Sequence, residues 1–387
     1  MAQPRKILWI SCVGEKGGAE VYLLNFLRHL DRRRFAPSVV LLRPGPLADE
    51  LKALDVPVHG FAAHRMRHVW NVGLAILKLA RLIRDEGASL VHSNGFRAHT
   101  YGGLAAQLAG VPEIWNVFTV EKDGLYTSAN LRIPTAHTIA ICPPTADYFI
   151  ARGCPTSMIW PSIDPQRLSL RAPRASLAQR YKIPVDAQWV AMGARLQRYK
   201  GHAFFIRALA ALPPEMHNVH AVILGGTLFG MEPSYPDELK SLAASLGVAA
   251  RVHFPGFVPD EDLYGFVAES ELVVHPALEE DFGLIVAEAQ GLGRPVLAFA
   301  SVGPAAIIDA DKTGRLVETG NQDKFSAALA DLLAAPNRLR EWGDAGRERA
   351  LRLFDAREAT RQLERIYASC LNPVPDLNPQ AVAAAHE

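Results

Sequence analysis

Short apolar runs alternate with stretches of helical period along most of the chain. Residues 7–12 read as a strand and 18–30 as a helix; 38–42 and 47–54, then 56–61 and 72–84, repeat the alternation. Residues 89–92 precede a helix at 98–108, and 113–118 and 138–142 are two further strands. Strands separated by helices in this way predict βαβ units and an open parallel sheet. The pattern weakens after Trp160-Pro161, where the polar stretch 164–180 reads as a linker with one turn of helix. It restarts with strands at 189–192, 220–225 and 251–254 and helices at 202–212 and 236–246. Two amphipathic helices, 338–354 and 356–370, close the pattern, and the Pro-, Asn- and Ala-rich tail beyond Leu371 is expected to be disordered.

The densest part of the second half is 271–300. Leu272, Val273 and Val274 form a buried strand that stops at His275-Pro276, and Glu279, Glu280 and Asp281 crowd the loop behind it. Phe282, Ile285, Val286 and Ala289 then recur at helical spacing up to Gly291 and Gly293, and Pro295 to Phe299 begins another strand. Glu280 and Glu288 are eight positions apart, a little over two turns at 100° per residue, so both carboxylates can face one side. Acids at a helix N-terminus favour its dipole and need no function. Glu288 is different: it sits among Leu, Ile, Val and Ala, where a carboxylate is costly unless a polar group meets it.

Other features carry weaker chemistry when taken alone. Gly14, Gly17 and Gly18 fall between a strand and a helix, where backbone amides can approach an anion, but they fit neither G-x-G-x-x-G nor the P-loop spacing. Arg195 and Lys200, five apart after a strand, can grip two phosphates, although any such pair also reads as surface charge. Gly225 and Gly226 end a strand, and a turn suffices to explain them. Asp309-Ala-Asp311 has a metal-site form but precedes Lys312-Thr-Gly314 in what reads as an exposed turn, which disfavours a metal. His202 and His275 can do acid–base work, but an isolated histidine is more often structural.

Length and composition narrow the picture. The 387 residues suit two domains, and 49% hydrophobic content supplies two cores. Cys12, Cys142, Cys154 and Cys370 are scattered without a C-x-x-C pair, which fits neither a disulfide framework nor a zinc site and fits a reducing cytoplasm. The apolar run at 7–12 is too short for a signal peptide, and no apolar stretch reaches the roughly 18 residues that span a bilayer. Residues 1–165 hold 18 Lys/Arg against 13 Asp/Glu, net +5, whereas 166–387 are net −4. The basic stretch from His64 to Arg84 makes peripheral contact with a membrane, through the first domain, an expectation.

The segment Glu280-Asp-Phe-Gly-Leu-Ile-Val-Ala-Glu288, with His-Pro-Ala-Leu before it and Ala-Gln-Gly-Leu-Gly-Arg-Pro-Val after it, resembles the two-glutamate signature of the retaining glycosyltransferases of family four, the group one glycosyltransferases. That resemblance covers roughly residues 5–370. It implies a GT-B fold: two doubly wound Rossmann-like α/β domains facing a central cleft, at 1–170 on the acceptor side and 171–353 on the nucleotide-sugar side. A helix at 354–371 would cross back to the first domain, with a tail at 372–387. It further implies transfer of a hexose, with retention, from a UDP- or GDP-sugar to a saccharide or lipid-linked acceptor, in bacterial cell-surface polysaccharide, lipopolysaccharide or glycolipid synthesis. Neither cofactor, metal nor nucleic acid enters that picture.

Residue by residue, the resemblance makes Arg195 and Lys200 diphosphate clamps. Glu280, with the backbone of Phe282, Gly283 and Leu284, orients the donor sugar, and Glu288 holds the ribose. Gly17 and Gly18 approach the donor phosphate, Gly225 lines the nucleotide pocket, and backbone at Val258 meets the base. Glu280, Arg195 and Lys200 are thus the catalytic candidates. Departures from the family pattern are a missing histidine in 116–123, for which Glu121 is the substitute candidate, Pro161-Ser-Ile-Asp164 in place of Asn-Gly-x-Asp, and Ser301-Val-Gly303 in place of a Gly-Gly loop. A sugar-nucleotide epimerase and a non-catalytic sugar-nucleotide-binding protein are the alternative readings.

Overall fold

The computed structural model describes residues 3–12, 14, 17–61, 63, 69–120, 124–227 and 230–372. The chain divides into two compact units, Met1–Ser162 with Ala356–Glu387, and Ile163–Asp355.

The first unit is built on a parallel sheet of β1 (Arg5–Ser11), β2 (Phe35–Leu41), β3 (Val58–Gly60), β4 (Leu90–Asn94), β5 (Glu113–Val117), β6 (His137–Ala140) and β7 (Thr156–Met158), in the order β3-β2-β1-β4-β5-β6-β7. Ile7, Leu8, Trp9 and Ile10 of β1 are all fully buried, as expected where helices cover both faces of a parallel sheet. The helix Val69–Asp85 covers part of one face with Val72, Ala75, Ile76, Leu79, Ala80 and Ile83, which meet Leu8, Ile10, Val40 and Val91 in one core. The helix Ala356–Leu371 belongs to this unit. Its Tyr367 hydroxyl lies 2.8 Å from His92 Nδ1, and its Glu364 accepts the Asp31 amide at 2.8 Å and pairs with Arg34 at 3.1 Å.

The second unit repeats the plan with β8 (Gln188–Gly193), β9 (Val219–Leu224), β10 (Val252–Gly256), β11 (Leu272–His275), β12 (Val296–Phe299) and β13 (Gly314–Val317), in the order β10-β9-β8-β11-β12-β13. Every strand pairing is parallel. In each sheet the strand order reverses beside the first strand, between β1 and β4 and between β8 and β11. Loops leaving the carboxyl ends of neighbouring strands diverge there, which leaves room for a ligand.

Three expectations shift. The division falls at Ser162/Ile163, not at 170/171, because Ile163 bridges Asp355 and its amide donates to the Phe354 carbonyl at 2.7 Å, so the chain enters and leaves the second unit at one point. The polar stretch 164–180 is not a linker. Asp164 caps the helix Pro165–Ser169 through the Gln166 amide at 3.0 Å, and Leu177 of the helix Arg174–Tyr181 packs with Trp189 and Phe266. The helix expected from Phe282 begins at Leu284, so Glu280 stands in a loop and its position is not set by helical period.

Among the described residues no helix is long and apolar enough to cross a membrane.

Candidate active site

The switch point of the second unit is assembled from the loops after β8 and β11. The loop after β8 closes in a 3-10 turn, Arg198–Lys200, and Gly201 follows with φ +81°. A Cβ on Gly201 would lie 1.8 Å from the Pro276 carbonyl oxygen, so only glycine lets this turn rest on the residue that follows β11. The contact carries Lys200 Nζ to within 2.6 Å of Glu280 Oε2.

His275, the last residue of β11, reaches the same oxygen through Nε2 at 2.9 Å. The loop turns back on itself at Gly283, whose φ of +84° ends the approach to the helix Leu284–Gly291 and brings Glu280 Cγ beside it. Burial alone would raise the Glu280 pKa. The hydrogen bond and charge of His275, followed by Lys200, outweigh that cost and lower it to about 2. Its carboxylate is therefore ionised at neutral pH, an acceptor and not an acid. Fully buried His202, next in chain to Gly201, is pushed down to about 4, chiefly by burial.

Glu288 lies within the helix Leu284–Gly291, buried. One polar group that meets it is the Tyr264 hydroxyl, from the helix Asp260–Glu269, which donates to Oε1 at 2.9 Å. Burial first, then the charge of Glu288, holds the phenol well above its ordinary value, so it stays a donor. Arg167 stacks 5.5 Å from the centre of the Tyr264 ring and pairs with Asp260 at 2.5 Å. Tyr264 and Arg167 come from elements far apart in sequence, and no motif marks either. His275 is visible in the sequence but its contact with Glu280 is not.

The other candidates fall out as follows. Lys200 and Glu280 are brought together. Arg195 lies in the same loop after β8 and donates to the Tyr199 hydroxyl at 3.1 Å. Gly225 ties the adjoining loop to its neighbours: its amide donates to the Gly256 carbonyl at 2.9 Å, and Ala194 donates to Leu224 at 2.9 Å. Phe282 is buried against Phe354, with ring centres 5.4 Å apart, so its side chain packs while its backbone continues the Glu280 loop. Val258 packs on the Trp189 and Phe266 cluster. Asp309 and Asp311 pair with Lys312 at 3.3 Å and Arg315 at 2.9 Å, and among the described residues no group of three or more His, Cys, Asp or Glu could hold a metal ion.

In the first unit, Gly17 caps the helix Gly18–His29 and its amide donates to Glu20 at 3.0 Å, at the carboxyl edge of β1. Asn94 Nδ2 donates to the Ala19 carbonyl at 3.2 Å, and Asn116 Nδ2 lies 3.5 Å from Asn94 Oδ1, a buried polar floor at the β1–β4 switch. The Cys12 thiol beside it is raised by burial to about 11, which makes it a poor nucleophile. Glu121 lies outside the described residues.

Two parallel α/β units with the polar cluster at one switch point are the architecture of a GT-B glycosyltransferase, and the comparisons agree. The profile of "Glycosyl transferases group 1" matches residues 174–349 and that of "Glycosyltransferase Family 4" matches 16–167. The chain belongs to this family, the group 1 glycosyltransferases of family 4. It is 35% identical over 407 residues, covering 94% of each chain, to a D-inositol 3-phosphate glycosyltransferase of Corynebacterium aurimucosum, and 26% identical over 355 residues to that of Corynebacterium jeikeium, covering 83% of this chain and 84% of that one. The fold is that of Anabaena Alr3699/HepE, crystallised with UDP and glucose (TM-score 0.83, 23% identity, 94% of this chain and 100% of that one). A sucrose-phosphate synthase from Thermosynechococcus elongatus shares it as well (TM-score 0.77, 20% identity, 98% and 100%).

Proposed function

We propose that this glycosyltransferase moves a hexose from a nucleoside diphosphate sugar to an acceptor hydroxyl, with retention at the anomeric carbon and without a metal. The observation that carries the reading is the meeting of Lys200 and Glu280 at the β8–β11 switch point, at 2.6 Å. A cation beside an ionised carboxylate offers one group for a diphosphate and one for sugar hydroxyls. UDP- and GDP-sugars are both candidate donors; UDP comes first because HepE, of the same fold, was crystallised with it.

In the reaction the bond from the anomeric carbon to the diphosphate oxygen breaks and a bond to the acceptor oxygen forms on the same face. The acceptor's proton passes to the departing diphosphate, so no protein nucleophile is needed. Lys200 and Arg195 stabilise the charge that grows on the leaving group, helped by the amides that open the helix His202–Ala210. Glu280 orients the donor sugar, with the backbone of 282–284 beside it. Glu288, held by Tyr264, takes the ribose hydroxyls. A saccharide or lipid-linked acceptor in cell-surface polysaccharide, lipopolysaccharide or glycolipid synthesis fits this chemistry. An inositol phosphate acceptor is the second reading, favoured by the 35% identity to the corynebacterial relative.

Incubation with UDP- and GDP-sugars, with and without candidate acceptors and with and without EDTA, tests the proposal. Nucleoside diphosphate is expected to appear faster with the right acceptor and equally fast in EDTA. Sugar isomerisation without release would support the epimerase reading, and loss of rate in EDTA would remove metal independence.

A further inference from the structure

The helix Val69–Asp85 has a second face that the fold does not use. Opposite its buried stripe, Trp70 is 89% exposed and Leu74 and Leu77 are each 58% exposed. At 100° per residue these three positions fall on one stripe about 60° wide. Lys78, Arg81 and Arg84 continue the outward side, all exposed, Arg84 with one guanidinium nitrogen donated to the Leu108 carbonyl. The acidic group among them is Asp85, which Arg81 meets at 3.4 Å. The first turns of the outer face are thus apolar and the last turns basic.

We propose that this face docks on the surface of an anionic lipid bilayer, with Trp70, Leu74 and Leu77 entering the headgroup–acyl boundary and Lys78, Arg81 and Arg84 meeting lipid phosphates. Charge complementarity selects this occupant, and a tryptophan suits the boundary because its ring is apolar and its N–H polar. Three large side chains on one helix offer far less than the roughly 800 Å² per partner of a stable protein interface, which argues against a second copy of the chain. The helix lies on the bilayer and does not cross it, as its charged last turns require.

Placement ties the surface to catalysis. The helix leaves the carboxyl end of β3 and returns to the start of the parallel strand β4, so its first turns, with Trp70 and Leu74, stand at the carboxyl edge of the sheet. Leu125, 92% exposed, follows β5 at that same edge. Substrates of such sheets bind there. Delivery of a membrane-borne acceptor to that edge rests on the transferase reading above; the docking itself does not.

Co-sedimentation of the full chain with vesicles separates the two. Vesicles of equal parts phosphatidylglycerol and phosphatidylcholine are expected to pellet the protein at low salt and to release most of it at about 0.5 M salt, where surface charge is screened. Pure phosphatidylcholine should hold at least about tenfold less. The double variant Trp70→Ser/Leu74→Ser and, separately, Lys78→Glu/Arg81→Glu should each lose vesicle binding while keeping the wild-type melting temperature and UDP affinity. Absence of pelleting with the anionic vesicles, unchanged pelleting of both variants, or a concentration-dependent dimer abolished by Trp70→Ser/Leu74→Ser would overturn the proposal. UDP affinity measured on the same samples reports on the donor site independently.

Discussion

Lys200 and Glu280, eighty positions apart in sequence, meet at 2.6 Å, and His275 shares the carboxylate oxygen at 2.9 Å. The relationship depends on Gly201, which lets the turn carrying Lys200 sit against Pro276. A diphosphate at this switch point would compete with Glu280 for the amine. Lys200 would then trade a carboxylate for a phosphate, and His275 would remain to hold Glu280.

Lys200→Met removes the point charge and keeps most of the stem. Removal of one electrostatic stabiliser of a developing oxyanion lowers kcat by about 10²–10³. Lys200→Arg should recover little, because a planar fork does not replace a compact ammonium in this space. Steady-state kinetics with a saturating donor check both.

Glu280 has a folded pKa of about 2, depressed from 4.5. Its contribution to stability is present above the unfolded pKa and is lost as pH falls through the folded one. The stability gap between wild type and Glu280→Gln is therefore expected to be flat from about pH 5 to about pH 8 and to narrow only below about pH 4.5. Denaturant titrations across that range measure it. A gap that closes near neutrality would contradict the assignment of the ionised partner.

His275 gives a sharper chemical test. His275→Ala removes the donor to Glu280 and should lower kcat about tenfold or more, the worth of one charge-assisted hydrogen bond. His275→Gln, whose Nε2 can donate from nearly the same place, should restore part of the rate. Equal loss in both variants would assign His275 to packing alone.

If Glu288 takes the ribose hydroxyls as proposed, Tyr264 acts on the nucleotide through the hydrogen bond it donates to Glu288. Tyr264→Phe deletes one hydrogen bond of about 1 kcal/mol, so UDP should bind about fivefold more weakly. A UDP analogue lacking both ribose hydroxyls should bind the variant and the wild type equally. Calorimetric titration of the two ligands distinguishes this from a general loosening of the site, which would weaken both.

Much of this architecture is legible in the chain. The βαβ rhythm marks most of the strands of both sheets, and Glu288 stands out because a carboxylate in an apolar helix demands a partner. The short strands β7 and β13 escape because each has only three or four residues and is partly exposed at a sheet edge. Helical spacing placed Glu280 by a period that does not apply to it; a left-handed glycine, Gly283, sets its direction instead. Tyr264 and Arg167 leave no local pattern because they come from helices far apart in sequence, and His275 is visible but its contact with Glu280, across the loop that turns at Gly283, is not. The point where the chain passes between the units, at Ser162/Ile163, leaves no local pattern either, since Ile163 and Asp355 pair across the whole second unit.

The most direct test of the central claim is a crystal structure of the chain with UDP. The account predicts the diphosphate at the β8–β11 switch point, with Lys200 Nζ turned from Glu280 to a phosphate oxygen and the Glu288 carboxylate within hydrogen-bond distance of the ribose. UDP bound elsewhere, or bound here with the Lys200–Glu280 pair still closed and Glu288 untouched, would contradict it.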